Sequence, residues 1–231
     1  MPSDSDNNIP AHVAVIMDGN RRWAKKKGLP AAYGHKKGVD TVRVITRAAK
    51  QSGIKALTLY AFSCENWKRS VSEVKTLMLL LKKAISSYQK ELLENDIALK
   101  FSGRIKELPP DIIDTLLQAE NKLKNCKSMV LNIALNYGGR QEILDAVNKI
   151  CAKGVKKITQ EELEKNLYTF PLPEPDLIIR TSGEKRISNF LLWQSAYSEF
   201  YFSDKFWPDF NAEDLKSALA DYAARERRKG A

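Results

Sequence analysis

The chain alternates between short apolar runs and longer segments in which apolar residues recur every three or four positions. The short runs are rich in β-branched residues and end at polar turn residues, which is typical of buried strands. We predict six strands, at His12–Asp18, Ile54–Phe62, Ile97–Gly103, Met129–Tyr137, Asp176–Thr181 and Glu199–Asp204. The longer segments predict helices at Gly34–Gln51, Val71–Asn95, Pro109–Asn125, Arg140–Cys151, Thr159–Leu167 and Ala212–Arg228.

Strands that alternate with helices predict an α/β fold with a six-stranded, mostly parallel sheet flanked by helices. A length of 231 residues with 43% hydrophobic side chains suits a single domain, which we assign to residues 12–231. The polar and acidic start of the chain predicts a disordered segment over residues 1–11. It does not resemble a secretion signal, and no apolar run reaches the roughly 18 residues of a membrane span.

Charge and cysteine usage narrow the classes of partner. The formal net charge of +10 predicts an anionic partner, which could be nucleic acid, an acidic membrane surface or a phosphorylated substrate. Three cysteines without a C-x-x-C pair, and only two histidines, argue against a zinc site and favour a cytoplasmic location. Neither of the glycine-rich nucleotide-binding motifs occurs, although another phosphate-binding α/β enzyme and a basic nucleic-acid-binding module remain alternatives.

Polar loops follow four of the predicted strands, at residues 18–20, 63–66, 136–140 and 180–184. Ligands of open parallel sheets bind outside the carboxyl ends of the strands, so we expect these loops to meet at one edge. Asp18 is a candidate Mg²⁺ ligand, because magnesium favours one or two carboxylates together with phosphate oxygens; a helix cap is the alternative. The basic run that follows Asp18 suits an anion at a helix N-terminus, or forms a solvated face.

Three further groups of residues carry candidate chemistry. His35 could hold phosphate or shuttle a proton, although a lone histidine is more often structural. The segment from Ser63 to Arg69 combines polar groups, an indole and a cation, and is also compatible with a helix cap. A second cationic cluster, built to hold phosphate, consists of Arg180, Lys185, Arg186 and Ser188.

Two phosphate seats predict two phosphorylated substrates, and Glu199 could supply a second metal carboxylate. The helix that starts at Val71 carries an apolar stripe, which either lines a channel for an oily chain or packs in the core. Surface salt bridges are the alternative for the second cationic cluster, but Arg180 follows directly on an apolar run.

Several long motifs occur together in one order: HVAVIMDGNRRWAKKKG, YGHKKGV, LTLYAFSCENWKR, LNIALNYGGRQEI, PDLIIRTSGEKRISNFLLWQSAYSEFYF, WPDF and RERRKG. In order and spacing they resemble the cis-prenyltransferases, and in particular the bacterial undecaprenyl diphosphate synthase branch of that family. The resemblance extends from about His12 to Gly230. It implies a homodimeric, Mg²⁺-dependent enzyme with a hydrophobic tunnel, which condenses isopentenyl diphosphate onto an allylic diphosphate such as farnesyl diphosphate. The long-chain product would be the precursor of the lipid carrier for cell-wall synthesis.

The resemblance also assigns roles to individual residues. It implies Asp18 and Glu199 as the metal carboxylates, and Asp18, His35 and Asn66 as the catalytic group. The implied allylic seat consists of Gly19, Asn20, Arg22, Trp23 and His35, with Ser63 and Glu65 close by. We add the neighbouring Arg21 and Cys64 to the candidate substrate-binding residues. Trp67 and Arg69 would lie beside Asn66. The implied isopentenyl diphosphate seat consists of Arg180, Arg186, Ile187 and Ser188, and Arg228-Lys229-Gly230 would reach across the dimer.

The chain departs from the family pattern at a few positions. Arg21 replaces a usual glycine and Ala31 a usual arginine, so we hypothesise that Arg21 partly restores the missing charge. Cys64 and Lys185 replace a common serine and histidine. An amide is a poor base, and we therefore expect Asn66 to orient the proton acceptor rather than to act alone. We expect no nucleic-acid partner and a peripheral membrane contact for product release; an inactive partner subunit of the family remains an alternative.

Overall fold

Six parallel strands form one sheet in the order β3-β4-β2-β1-β5-β6. They are β1 (His12–Ile16), β2 (Ala56–Ser63), β3 (Ile97–Ser102), β4 (Met129–Tyr137), β5 (Leu177–Arg180) and β6 (Glu199–Phe202). The structure is a computed structural model that describes residues 9–226. It confirms the predicted α/β class and all six strands.

Seven α-helices connect or flank these strands in the described range. They are α1 (Asn20–Lys26), α2 (Ala31–Gln51), α3 (Val71–Glu94), α4 (Pro110–Leu123), α5 (Gly139–Cys151), α6 (Gln160–Glu164) and α7 (Ala212–Ala224). The predicted helices are confirmed to within a few residues, except that α7 ends at Ala224, since Arg225 is extended. Helix α1 was not in the predicted set, because only Ala24 of its seven residues is buried and no apolar stripe marks it.

The two faces of β1 show how the sheet is covered. Val13 and Val15 point into a large core formed with α2, α3, α4 and α7. Ala14 and Ile16 belong to a smaller cluster on the opposite face, which contains Tyr137 and the loop residue Phe190. A central strand that is buried on both sides requires a continuous apolar run, and the sequence HVAVI supplies one.

Buried polar side chains of β1, β2 and β4 form a chain of hydrogen bonds across the sheet. The His12 Nε2 atom lies 2.7 Å from Thr58 Oγ1, and its Nδ1 atom lies 2.7 Å from the carbonyl oxygen of Pro173. Asn132 Nδ2 donates to the same Thr58 hydroxyl at 3.2 Å. Burial lowers the pKa of His12 below its ordinary 6.5, so the folded protein favours the neutral imidazole.

The direction of strand addition reverses at β1, because β2 lies on one side of it and β5 on the other. Sites in open parallel sheets form at such a reversal, outside the carboxyl ends of the strands. Ile16 pairs with Arg180 in register, so the residues that follow β1 and β5 emerge next to each other.

Two predictions concern the ends of the chain. The disorder predicted for residues 1–11 stays a prediction over residues 1–8, which lie outside the described range, whereas the Ala11 carbonyl accepts hydrogen bonds from Lys55 and Ala56. The implied Arg228-Lys229-Gly230 tail also lies outside that range. No helix within residues 9–226 has both the length and the hydropathy needed to cross a membrane.

Candidate active site

Asp18 lies at the centre of the carboxyl edge, two residues beyond β1. Its Oδ2 atom accepts a hydrogen bond from Arg180 Nη2 at 2.9 Å and lies 3.2 Å from Arg22 Nη2, while Oδ1 accepts from the Gly19 amide at 2.6 Å. Burial would raise the pKa of Asp18, but the Arg180 hydrogen bond and the charge of Arg22 outweigh it and hold the pKa below its ordinary value. The carboxylate is therefore ionised, and its side chain is 29% exposed.

Backbone geometry fixes the turn that carries Asp18. Thr181 Oγ1 accepts from the Asp18 amide at 2.9 Å and lies 2.7 Å from the Asp18 carbonyl. Gly19 has a φ of 102°, and a β-carbon there would lie 2.7 Å from the Phe206 ring. Only glycine satisfies both the left-handed conformation and this close approach, so the DGN turn is specified locally.

A polar basin of about 480 Å³ opens beside α1, and we call it the α1 basin. Its lining contains Met17, Asp18, Gly19, Asn20, Arg21, Arg22, Lys25, Leu29, Ala31, His35 and Arg69. Four cations and one ionised carboxylate thus line the same basin, an arrangement that suits a polyanion bound together with a metal. Arg21 and Ala31, the two departures from the family pattern, line the same basin.

A second polar basin of about 530 Å³ lies at the ends of β1, β2 and β5, and we call it the β2–β5 basin. It is lined by Ile16, Met17, Asp18, Asn20, His35, Tyr60, Ala61, Ser63, Glu65, Asn66, Arg69, Leu77, Arg180, Ser188 and Asn189. The structure therefore brings three of the four predicted loops around this basin. The fourth supports them, because Trp67 Nε1 donates to Asn136 Oδ1 at 2.8 Å.

Arg180 joins this basin to Asp18. Its side chain is 4% exposed, its Nη1 atom donates to Ser188 Oγ at 2.7 Å and to the Arg186 carbonyl, and its Nη2 atom donates to Asp18. The φ of Ser188 is 49°, in the left-handed region, and Ile187 beside it is half-buried. The Arg180 guanidinium thus holds Ser188 beside it, so the two predicted residues form one part of the basin lining.

Arg186 takes a different position from Arg180. Its guanidinium is 60% exposed and binds Glu184, which also accepts from Arg22 Nη1 at 2.8 Å. The sequence reasoning gave no role to Glu184. An acidic residue inside a basic loop is the sequence signal that could have identified Glu184. In the structure this one carboxylate binds both Arg22 and Arg186.

Glu73, at the start of α3, is a second carboxylate that the sequence reasoning left without a role in the site. Its Oε1 atom accepts from Arg69 Nη1 at 2.9 Å and lies 3.7 Å from His35 Nε2, and its Oε2 atom lies 3.8 Å from Arg21 Nη1. The His35 Nε2 atom is buried without a hydrogen-bond partner. Burial and then the charge of Arg69 lower the pKa of His35, so its neutral form faces the basins.

The loop after β2 is shaped by its own hydrogen bonds. Asn66 Oδ1 accepts from the Ser63 amide at 3.1 Å, and the Ser63 side chain accepts from the Asn66 amide. This reciprocal cap opens the 3-10 turn Cys64–Lys68, so the capping alternative and a position in the basin both hold for Asn66. Glu65 accepts from Asn189 Nδ2 at 2.9 Å, and Cys64 Sγ donates to the Asn136 carbonyl at 3.2 Å.

Helix α1 is fixed by close contacts with its neighbours. Trp23 Nε1 donates to Asp209 Oδ1 at 2.7 Å, which anchors α1 to the 3-10 turn Trp207–Asp209. A β-carbon at Gly34 of α2 would lie 2.0 Å from the Asn20 carbonyl, and one at Gly38 would lie 2.4 Å from Asn20 Oδ1. Gly34 therefore lets the backbones of α1 and α2 touch, and Gly38 leaves room for the Asn20 side chain.

Within one chain, Glu199 is not brought to Asp18, so the prediction that they share a metal is corrected for a single protomer. Glu199 pairs in register with Leu177, which pairs with Val13, so it lies at the amino end of the sheet. The three steps from Val13 to Ile16 alone span roughly 10 Å. The Glu199 carboxylate instead accepts from Arg225 Nη1 at 2.6 Å.

An apolar passage runs from the two basins between α2, α3 and the sheet. Its cavity has a volume of about 160 Å³. The apolar part of its lining contains Met17, Val39, Val42, Phe62, Leu77, Met78, Leu81, Ala84, Ile85, Leu92, Leu99, Leu131, Ile133 and Leu135. Met17, Asn20 and His35 line this passage and both basins, so all three spaces meet at these residues. Both alternatives for the apolar stripe of α3 therefore hold, since Met78, Ile85 and Leu92 line this cavity and also belong to the core.

Comparisons with known proteins agree with this arrangement. The family model described as putative undecaprenyl diphosphate synthase matches residues 16–230. The isoprenyl transferase of Fusobacterium nucleatum subsp. nucleatum is 49% identical, with 97% of each chain covered. The isoprenyl transferase of Geobacter sulfurreducens is also 49% identical, over 97% of this chain and 94% of its own.

Solved structures extend the comparison to the fold. Lavandulyl diphosphate synthase from Lavandula x intermedia, solved with dimethylallyl diphosphate, superposes with a TM-score of 0.95 at 40% identity, covering 98% of this chain and all of the other. A probable undecaprenyl diphosphate synthase from Campylobacter jejuni gives a TM-score of 0.83 at 32% identity, covering 97% and 100%. Family model, relatives and structures agree over nearly the whole chain, which therefore belongs to the undecaprenyl diphosphate synthase family of prenyltransferases.

Proposed function

We propose that the protein condenses isopentenyl diphosphate with an allylic diphosphate and thereby builds a long-chain polyprenyl diphosphate of the undecaprenyl class. The single observation that carries this proposal is the junction at Met17, Asn20 and His35. Two cation-lined basins suit two diphosphates, and an apolar passage that opens from the same point suits the hydrocarbon of one of them.

In this reaction the allylic carbon–oxygen bond breaks, diphosphate leaves, and the double bond of isopentenyl diphosphate forms the new carbon–carbon bond. A proton is then lost from the isopentenyl unit. The α1 basin takes the allylic diphosphate, where Arg21, Arg22 and Arg69 neutralise the charge that develops on the leaving group. The β2–β5 basin takes isopentenyl diphosphate on Arg180 and Ser188, so that much of the rate enhancement comes from positioning.

The neutral His35 imidazole is suited to accept or relay the proton, because its Nε2 atom has no partner at the point where the spaces meet. Asn66 is better suited to shaping the loop, since its amide oxygen already accepts from Ser63. The dimethylallyl diphosphate in the structure of the lavandulyl relative supports an allylic diphosphate as one substrate of this fold.

Magnesium fits the α1 basin as an ion shared with the substrate. Asp18 is ionised and partly exposed, and magnesium is usually held by one or two carboxylates plus phosphate oxygens rather than by a cage of protein ligands. Within residues 9–226 no cluster of three ligand side chains competes with this assignment. Bound there, Mg²⁺ would supply charge neutralisation for the departing diphosphate.

The decisive experiment combines purified protein, farnesyl diphosphate and labelled isopentenyl diphosphate, with and without Mg²⁺, and sizes the products by chromatography. We expect Mg²⁺-dependent chain elongation that Asp18→Asn abolishes. Steeply salt-dependent binding to DNA or RNA without elongation would refute the proposal and favour the basic nucleic-acid-binding alternative.

The assembly and location of the protein are part of the same proposal. The homodimer and the cytoplasmic location with a peripheral membrane contact stay predictions, which sedimentation and pelleting with anionic vesicles test directly. A monomer that is fully active would remove the implied role of a second copy, and with it any role for Glu199 as a metal carboxylate.

A further inference from the structure

Asn189, in the loop between β5 and β6, joins that loop to two neighbouring parts of the chain. Its Nδ2 atom donates to Glu65 Oε1 at 2.9 Å and to Gln141 Oε1 at 3.1 Å. Its Oδ1 atom accepts from the Arg140 amide at 2.9 Å, and its carbonyl oxygen accepts from the Gly139 amide at 2.7 Å. One asparagine therefore ties its own loop to the loop after β2 and to the first turn of α5.

The backbone of this loop depends on such contacts. Ser188, Asn189 and Leu191 have positive φ, at 49°, 62° and 46°. Residues other than glycine keep this left-handed conformation where surrounding contacts hold it, and asparagine tolerates it better than most. Phe190 supplies one such contact, since its buried ring stacks on Tyr60 with 4.4 Å between the ring centres. The loop is therefore held by Phe190 on its buried side and by Asn189 at α5.

Glycine just before α5 leaves room for the Asn189 side chain. A β-carbon at Gly138 would lie 2.7 Å from Asn189 Nδ2 and 2.3 Å from Gln141 Oε1. Gly138 belongs to the fourth polar loop, residues 136–140, which lines neither of the two basins. Its close packing against Asn189 gives this loop a second connection to the site.

Both partners of this arrangement face the seat for the second diphosphate. Ser188 accepts from Arg180 Nη1 at 2.7 Å, and Ser188, Asn189 and Glu65 all line the β2–β5 basin. Burial would raise the pKa of Glu65, but the hydrogen bond from Asn189 and smaller effects of the surroundings hold the pKa below its ordinary value. An ionised carboxylate that turned into the basin would repel a bound diphosphate. The Asn189 amide instead binds this carboxylate at the wall of the basin.

We propose that Asn189 is a positioning residue for the diphosphate of isopentenyl diphosphate. It holds Ser188 beside Arg180 and keeps the Glu65 carboxylate away from the bound anion, so it acts through its neighbours rather than on the reacting atoms. This inference rests on the proposed function and deepens it, since it assigns the shape of the β2–β5 basin to contacts with α5.

Asn189→Asp tests the amide group at constant side-chain size. The aspartate still accepts from the Arg140 amide, so the start of α5 keeps its acceptor, but it cannot donate to Glu65 and repels it. We expect the KM for isopentenyl diphosphate to rise about tenfold, the factor for one hydrogen bond to a charged group, and the KM for farnesyl diphosphate to stay within about twofold. Adding Glu65→Gln exchanges the amide and the carboxylate, so the double variant should recover most of the loss.

Gly138→Ala tests the same contact from the side of α5. The backbone of Gly138 is extended, with a φ of −158° and a ψ of 131°, so alanine fits it without strain. The three atoms nearest to the new β-carbon belong to the side chains of Gln141 and Asn189, so the variant should displace the Asn189 amide and raise the same KM. Asn121→Asp, an exposed position on α4 that accepts from Lys124, is the control for added charge and should change neither KM.

Urea unfolding separates a positioning role from a structural one. We expect the unfolding midpoint of Asn189→Asp to stay close to that of wild type, so that the change in KM reports on the basin. An unchanged KM for isopentenyl diphosphate in both Asn189→Asp and Gly138→Ala would overturn the positioning role. A lower midpoint with an equal rise in both KM values, or a loss that Glu65→Gln does not recover, would overturn it as well.

A binding experiment makes the inference independent of turnover. In calorimetric titrations with isopentenyl diphosphate alone, Asn189→Asp should bind about tenfold more weakly than wild type. Equal binding by the two proteins would overturn the inference even if the wild-type protein elongates the chain. Weaker binding in a protein that never elongates the chain would refute the proposed function while supporting Asn189 as the positioning residue of a diphosphate seat.

Discussion

Replacing Arg180 by lysine keeps the positive charge but removes the guanidinium group, which can donate several hydrogen bonds at once. Arg180 makes three hydrogen bonds, to Asp18, Ser188 and the Arg186 carbonyl, and lysine can reach only one of these acceptors from the same buried position. At about 1.5–3 kcal/mol for each hydrogen bond to a charged group, the loss of two and partial relaxation predict a destabilisation of about 2–4 kcal/mol. Urea unfolding measured by fluorescence gives this value directly.

The same substitution has a kinetic signature. Because Arg180 positions Ser188 in the β2–β5 basin, the loss of one charge-assisted bond should raise the KM for isopentenyl diphosphate about 10–100-fold, and the KM for the allylic substrate much less. Arg186→Lys is the matched control for the unfolding measurement only, since that side chain is 60% exposed and its change should cost under about 0.5 kcal/mol of stability. Equal stability and equal KM in Arg180→Lys and wild type would refute the reasoning.

Three further predictions follow from local geometry and charge. Gly19→Ala should destabilise the fold by about 1–3 kcal/mol in denaturant titrations, because the new side chain meets both a strained backbone conformation and a clash. Gly28→Ala should cost less, since Gly28 also has a positive φ but has open space around it. Equal losses in the two variants would contradict this account. Burial lowers the pKa of His12, so its contribution to stability is fully present above about pH 6.5 and declines as the pH falls below that value; unfolding midpoints at pH 7.5 and 5.5 should differ more in wild type than in His12→Gln. Arg21→Gly should raise the KM for farnesyl diphosphate several-fold, and adding Ala31→Arg to this variant should lower the KM again. An unchanged KM in Arg21→Gly would exclude the hypothesis that Arg21 replaces the missing charge.

The sequence predicted the site best where one rule sufficed. Carboxyl ends of parallel strands meet at one edge, and this rule correctly placed Asp18, Ser63 and Arg180 together before any contact was known. The same rule applies to Glu199, which begins a strand and so belongs to the opposite edge of the chain's own sheet. The sequence-based prediction did not apply this rule to Glu199, so a metal role for Glu199 now depends on a second copy of the chain.

Other parts of the site depended on tertiary distances that no local pattern encodes. Glu73 and Glu184 each lie among basic residues, and only the folded chain shows that each joins two or more cations from different elements. The basic run after Asp18 suggested a helix N-terminus, but α1 was missing from the predicted helices because it buries one small residue, Ala24, and carries no apolar stripe. No motif predicts product length, because the volume of an apolar passage arises only from the folded chain.

Helix α1 lies directly on α2, because Gly34 leaves room for the Asn20 carbonyl and Gly38 leaves room for the Asn20 side chain. Asn20 directly follows the turn of Asp18 and Gly19, so a larger residue at either glycine of α2 would displace that turn. Helix α3 has no such attachment to α1 and meets α2 largely through side chains, which can exchange partners. Substitutions on the face of α3 that lines the passage should therefore leave the α1–α2 contact beside Asp18 unchanged.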